Sequence, residues 1–329
     1  MKKIPNLFDY ATSELSQDAF LTWLIHWSDK DFEKQDKVLN ACAIDFVQQL
    51  LGKDENFTIE SIKVGRQWKN IDVWALVNDT YFLIIEDKKG TKEHSNQLSR
   101  YAEVAKEYYQ NSDIEVKLVY FKMEEQSSYN EVEKANYFSF TRAKMLTLLE
   151  RYINDIENNI VLDYYQNLKS LDQSLKAYLS LPLEKWEWYQ WQGFYTEIQK
   201  TLGTGDWDYV ANKSGGFLGF WWHWKTGSFN GTKFQYYLQL EQDKLVFKLY
   251  VEEESNRREV RDFYAHRLLE KAKELNIELT QFGRLGKYMS IAKLNTEYRI
   301  INEKGLLDFS LTIENLKKIM NLLDKLEIS

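Results

Sequence analysis

The sequence predicts a mixed α/β core followed by a second, α+β domain, with the boundary at Pro182. Three observations carry that prediction. Apolar runs at about 57–66, 70–77, 80–88 and 115–123 read as strands, and a helical stretch at 91–110 separates the last two. Two helical stretches precede this set and two follow it. Beyond "LSLPLEKW" at 179–186 the character changes to aromatic-rich strands and long charged helices.

The elements can be justified in order. Residues 12–27 carry helical periodicity behind Thr12 and Ser13, either of which can cap the first turn. A second helix is predicted at about 36–51. "VNDT", residues 77–80, is a tight turn that makes the strands on either side a hairpin. Helices are expected at about 141–153 and 160–179, then at 184–201, 257–275 and 311–326. Strands are expected in "FLGFWWHWK", "TKFQYYLQLEQ" and "KLVFKLYVEEE" and at 286–294, with "NKSGG" and "KTGSFNG" as turns. The predicted domains are 1–182 and 183–329.

Composition narrows the function classes. The chain has 329 residues and a net charge of −7; residues 1–182 hold 22 Lys and Arg against 29 Asp and Glu, and the remainder is balanced at 21 of each. A protein that coats nucleic acid through bulk charge is basic, so contact with DNA or RNA here requires a local groove. Arg66, Lys69, Lys89 and Lys92 are candidates for it; a solvated hairpin edge explains them as well. Cys42 is the single cysteine, which excludes an intrachain disulfide and a thiolate zinc site. No apolar stretch reaches the roughly 18 residues of a membrane span, so a soluble cytoplasmic protein without a membrane partner is expected.

The unusual stretch is "IDVWALVNDTYFLIIEDKKG", residues 71–90. An apolar strand runs directly into Glu86, Asp87, Lys88 and Lys89. Strand alternation puts Phe82, Ile84, Glu86 and Lys88 on one face and Leu83, Ile85 and Asp87 on the other. Asp72 and Glu86 each lie about seven residues from the turn, so the hairpin brings them face to face beside Lys88. Like charges opposed in a sheet repel unless a cation lies between them. Lys88 supplies one charge and a divalent ion supplies two; Mg²⁺ characteristically takes one or two carboxylates and completes its octahedron with water and phosphate oxygens. A structural salt bridge between Lys88 and the acids fits the same spacing.

Asp72 followed by "IIEDK", read as Glu86-x-Lys88, resembles the PD-(D/E)XK nuclease superfamily, with Ile71 where its motif has proline. Glu14 in "SELSQDAFLTWLI" stands where such nucleases often carry a further acidic metal ligand. Gln97 and Tyr101 in "QLSRY" resemble the Gln-x-x-x-Tyr motif of the exonuclease-like branch. The resemblance spans about residues 6–125. It implies a restriction-endonuclease-like mixed sheet flanked by helices and Mg²⁺- or Mn²⁺-dependent hydrolysis of phosphodiester bonds. It also implies DNA as the nucleic-acid partner and a place in bacterial genome defence or DNA processing. By the same resemblance Asp72, Glu86, Glu14 and the Asp87 carbonyl hold the metal, Lys88 positions or activates the water, and Gln97 and Tyr101 support the site. The rival class is a non-catalytic nucleic-acid-binding or sensor protein that keeps the fold.

Two further features are read from the residues alone. Glu14 shares a helix row with Asp18, Leu21 and Ile25. In "GFLGFWWHWKTG", alternation puts Phe220, Trp222 and Trp224 on one strand face, where they either pack a core or stack unpaired bases. Arg257, Arg258, Arg261 and His266 line a helix that is solvated or contacts phosphate. The second domain is expected to recognise substrate, regulate, or mediate homo-oligomerisation. His94 reads as a surface residue.

Overall fold

The computed structural model describes residues 4–90, 92, 96–212, 215–326 and 328. His94 and the middle of "NKSGG" lie outside the described residues. The chain divides into two compact units, Met1–Asp172 and Gln173–Ser329. No described helix is long and apolar enough to cross a membrane.

In the first unit, α1 (Glu14–His26) and α2 (Lys37–Leu51) precede the strands β1 (Ile62–Trp68), β2 (Ile71–Val77) and β3 (Tyr81–Lys88). Then come α3 (Gln97–Tyr108), β4 (Glu115–Lys122), α4 (Asn130–Lys134), β5 (Phe138–Thr141), α5 (Arg142–Glu150) and α6 (Asn159–Lys176). The sheet order is β1-β2-β3-β4-β5. β1, β2 and β3 pair antiparallel, whereas β3–β4 and β4–β5 are parallel. β3 is therefore the strand at which the sheet changes sense. One core, centred on residues such as Leu24, Phe46, Val73, Ile85 and Leu148, lies under α1, α2, α5 and α6. A smaller one, with Phe82, Ile84, Leu98 and Tyr120, lies under α3 and α4. The mixed sheet flanked by helices agrees with the fold class expected from the sequence.

Local chemistry fixes the hairpins. Asn78 and Asp79 hold φ of 54° and 49° in the turn between β2 and β3, a region that Asn and Asp tolerate better than other non-glycine residues. Lys69 and Asn70, at 50° and 68°, do the same between β1 and β2. Gly65 pairs with Trp74, whose indole would lie 2.5 Å from a Cβ at that position, so only glycine fits. The first strand starts at Ile62 rather than near 57 and ends at Trp68, because this second turn extends the pairing beyond Arg66. The short elements α4 and β5 escaped the sequence reading, being too brief to show a period.

The second unit contains α7 (Trp188–Leu202), β6 (Asp206–Val210), β7 (Phe217–Phe229), β8 (Thr232–Glu241), β9 (Lys244–Tyr250), α8 (Arg257–Glu274), β10 (Leu279–Gln281), β11 (Tyr288–Leu294) and α9 (Phe309–Asp324). Its sheet, ordered β10-β11-β9-β8-β7-β6, is antiparallel throughout. Residues of α7, α8 and α9 close one core with Phe220, Trp222, Leu238 and Phe247.

Two expectations for β7 need correction. A bulge lies between Trp222 and Lys225, where His223 has a φ of 58°. The extra residue inverts the alternation. Phe220 and Trp222 are buried, but Trp224 emerges on the opposite face, 43% exposed. "KTGSF" continues the strand, and the turn is confined to Asn230 and Gly231, both at positive φ. In α8, Arg257 is committed to the carbonyls of Val251 and Glu252, and His266 is exposed beside Glu270.

Candidate active site

β3 does not become solvated where its charges begin. Glu86 and Asp87 are each 1% exposed and Lys88 7%. Isolated ions in such surroundings cost several kcal/mol apiece, so each must be matched by a partner. The Lys88 ammonium lies 2.7 Å from Glu86 Oε1. Gln97, the first residue of α3, donates to the same oxygen at 2.5 Å and to the Tyr101 hydroxyl at 3.3 Å. The i, i+4 spacing of Gln97 and Tyr101 thus brings both side chains to one point.

The β2–β3 register runs from Val77↔Tyr81 to Val73↔Ile85. One further step sets Asp72 opposite Glu86, as the hairpin arithmetic requires. Asp72 Oδ2 accepts the Asp87 backbone N–H at 3.1 Å. Burial pushes the Glu86 carboxyl up to about 8, and the charge of Asp72 adds to it. Asp72 is raised as well, chiefly by burial. Lys88 is also raised: burial works against its charge, but the bond to Glu86 and the surrounding carboxylates outweigh it. It is therefore an ammonium at neutral pH.

Glu14 arrives from the far end of the sequence. Ser13 caps α1 through the Ser16 N–H, which makes Glu14 the first helical residue. Its Oε1 accepts the Lys89 N–H at 3.1 Å, while Lys89 Nζ donates to Thr12 O at 2.7 Å. The N-termini of α1 and α3 thus both abut the end of β3, and their positive dipole ends favour anions there.

Asp87 points to the other face, as alternation demands. Its carboxylate accepts from Gln17 and lies against Asp18, leaving only its backbone on the Asp72 side. Burial raises Asp87 well above the usual range, and Asp18 rises to about 7, first through burial and then through the charge of Asp72. Gln17 and Asp18 were missed as site residues. The available signal was the spacing of Asp18, four residues after Glu14 on one helix row. Lys122, 1% exposed, pairs with Lys88 across the parallel β3–β4 ladder and donates to Lys89 O at 3.2 Å; a charge ending the apolar run of β4 was its signal.

The proposed basic groove is only partly assembled. Arg66 donates to Leu15 O at 3.4 Å, near the start of α1, and Lys89 is beside it in the same region. Lys69 instead lies over the rings of Trp68 and Tyr108, and Lys92 donates to Ser127.

Three carboxylate oxygens remain buried without a hydrogen-bond donor: Glu86 Oε2, Asp87 Oδ2 and Asp18 Oδ1. Such a surplus of acceptors calls for a proton or a cation. Among the described residues no three acidic, histidine or cysteine side chains form a ready-made metal cage. Two facing carboxylates with a spare oxygen nevertheless fit an ion such as Mg²⁺, which keeps most of its shell for water and phosphate.

No curated protein and no solved structure matches the chain. A family model, described as the PD-(D/E)XK nuclease superfamily, matches residues 5–180, which include every charged group just described. The chain belongs to the PD-(D/E)XK nuclease superfamily.

Proposed function

We propose that the protein is a metal-dependent nuclease that hydrolyses phosphodiester bonds of DNA. The observation that carries this reading is the convergence of Asp72, Glu86 and the Lys88 ammonium at the end of β3, with the Glu86 oxygen unpartnered. Asp72 and Glu86 would hold Mg²⁺ or Mn²⁺, with Glu14 and the Asp87 backbone carbonyl beside them. When bound, the ion supplies Lewis acidity toward phosphate and water. Lys88, being protonated, acts as a donor: it orients the attacking water and stabilises charge on the phosphorane-like transition state rather than accepting a proton. Gln97 holds Glu86 in one rotamer, and Tyr101 holds Gln97.

The test compares Mg²⁺-dependent cleavage of plasmid and single-stranded DNA by the native chain, Lys88→Ala and Asp72→Ala. Loss of the lysine is expected to lower the rate by about 10²–10³-fold, the scale of one preorganised donor. Absence of cleavage by the native chain, or equal cleavage by all three, would favour the non-catalytic binding protein instead.

A further inference from the structure

The buried side of α1 changes character along its length. Phe20, Leu21, Leu24 and Ile25 lie in the apolar core. One turn earlier, toward the end of β3, the buried residues are Gln17 and Asp18 instead. Packing alone does not call for an amide there, since an apolar side chain of similar volume holds a helix without a desolvation cost.

Gln17 is tied to the motif strand. Its amide donates to the Asp87 carboxylate, on the strand face opposite Glu86 and Lys88. Aromatic groups keep water from this bond. Phe20, three residues on, stacks on Tyr164 of α6 with ring centroids 3.7 Å apart, and the fully buried Tyr164 feels the charge of Asp87. A hydrogen bond in such surroundings is electrostatically stronger than one at a surface.

Glu14 lies three residues before Gln17 and so on the same side of the helix. Its carboxylate accepts the Lys89 N–H at 3.1 Å. Helix residues 14 and 17 thus meet strand residues 89 and 87, the two neighbours of Lys88. The β4 side pins the same stretch: Lys88 O accepts the Met123 N–H at 3.2 Å, and Lys89 O accepts from Lys122 Nζ at 3.2 Å. Apolar contacts resist separation of α1 from β3 but tolerate small slides and turns of the helix. A hydrogen bond has narrow limits of distance and angle, so the bond to Asp87 selects one setting. The Glu14 carboxylate, one turn away, takes its place from that setting.

We propose that Gln17 is a positioning residue: through its bond to Asp87 it sets the first turn of α1 so that Glu14 reaches the metal site of Asp72 and Glu86. The proposal deepens the nuclease reading and rests on it for Glu14 as a ligand, direct or through water. It also gives the middle residue of Glu86-x-Lys88 a role, as the anchor point of α1.

The experiment titrates the full chain with Mn²⁺ at pH 8 without DNA, by calorimetry, and checks the fold of each variant by circular dichroism. Gln17→Leu keeps the volume and removes the donor. It is expected to weaken Mn²⁺ binding by about 10- to 100-fold, the scale for groups that orient metal ligands. In a Glu14→Gln background the same change should matter by less than about twofold, because the ligand it positions is gone. Gln17→Glu alone sets two carboxylates against each other and should also lose affinity. Adding Asp87→Asn restores one amide–carboxylate bond with its direction reversed, and should return affinity to within about threefold of native. If Gln17→Leu does not fold, this second comparison decides. The proposal is overturned if folded Gln17→Leu melts lower but binds Mn²⁺ as tightly as native, if its loss persists in Glu14→Gln, or if the reversed pair recovers nothing. A native chain that binds no Mn²⁺ overturns the metal-dependent reading and this proposal together. One that binds Mn²⁺ with these losses but cleaves no DNA sinks the nuclease reading alone.

Discussion

Asp72→Asn should make the metal-free protein more stable at alkaline pH while abolishing its response to Mg²⁺. The substitution keeps shape and keeps an oxygen to accept the Asp87 N–H, so the change is almost purely one of charge. In the native chain Glu86 titrates at about 8 instead of its ordinary 4.5. The folded state therefore holds a proton that the unfolded chain has already released across that window, and stability falls as pH rises from 4.5 to 8. At 1.36 kcal/mol per pH unit the interval bounds the loss at about 5 kcal/mol. Burial is the larger cause and Asp72 the second, so the share removed with Asp72 is about 1–2 kcal/mol, partly offset by its lost attraction to Lys88. Melting in EDTA should show the variant higher by about 2–6 °C at pH 8.5 and indistinguishable at pH 5. Added Mg²⁺ should raise the native melting temperature and leave the variant unmoved. A variant that melts lower at pH 8.5 in EDTA, or is offset equally at every pH, would refute the claim that the two carboxylates repel.

Because Glu86 must lose its proton to accept a metal, Mn²⁺ affinity should rise about tenfold per pH unit between pH 6 and 8; calorimetry in buffers of different ionisation enthalpy should report roughly one proton released per ion. Gln97→Ala removes the brace on Glu86 at 2.5 Å and should lower kcat about 10- to 100-fold, by analogy with groups that orient metal ligands, whereas Tyr101→Phe should have a smaller effect. Trp222→Ala empties a fully buried site and should cost about 3–5 kcal/mol in urea denaturation, whereas Trp224→Ala, which loses a stack on Tyr237 at a partly exposed position, should cost only about 0.5–1.5 kcal/mol.

The hairpin and its acids were legible because they rest on two short-range rules. Alternation along β3 and a turn at Asn78–Asp79 together place Asp72 opposite Glu86 with no tertiary information. Gln97 and Tyr101 were picked out by their resemblance to the Gln-x-x-x-Tyr motif; helical spacing accounts only for the two side chains facing the same way. What the sequence hid was long-range or irregular. The docking of α1 on the end of β3 joins residues 14 and 89; only the family resemblance pointed to Glu14 there, and no local pattern states that Asp18 will meet Asp87. The bulge at His223 hid equally well: one residue at φ 58° reverses every assignment after it, and histidine carries no mark of that conformation comparable to Asn-Gly. β5, β6 and β10, of three to five residues, are set by the neighbours they pair with rather than by their own period.

The buried charges of β3 make sense only through the change of sheet sense at that strand. On its β2 side the antiparallel ladder brings the start of one strand, with Asp72, to the end of the other, with Glu86 and Lys88. On its β4 side the parallel ladder forces a crossover, and the crossover helix α3 begins at Gln97, within reach of Glu86. An all-antiparallel sheet would lack the crossover helix, and an all-parallel one would separate the two acids. The mixed sheet thus collects acids, lysine and amide at the end of its central strand, where the carboxylates lose stability in the absence of a cation. That loss is what a bound divalent ion would reverse, so occupancy of the site and stability of the first unit should rise and fall together.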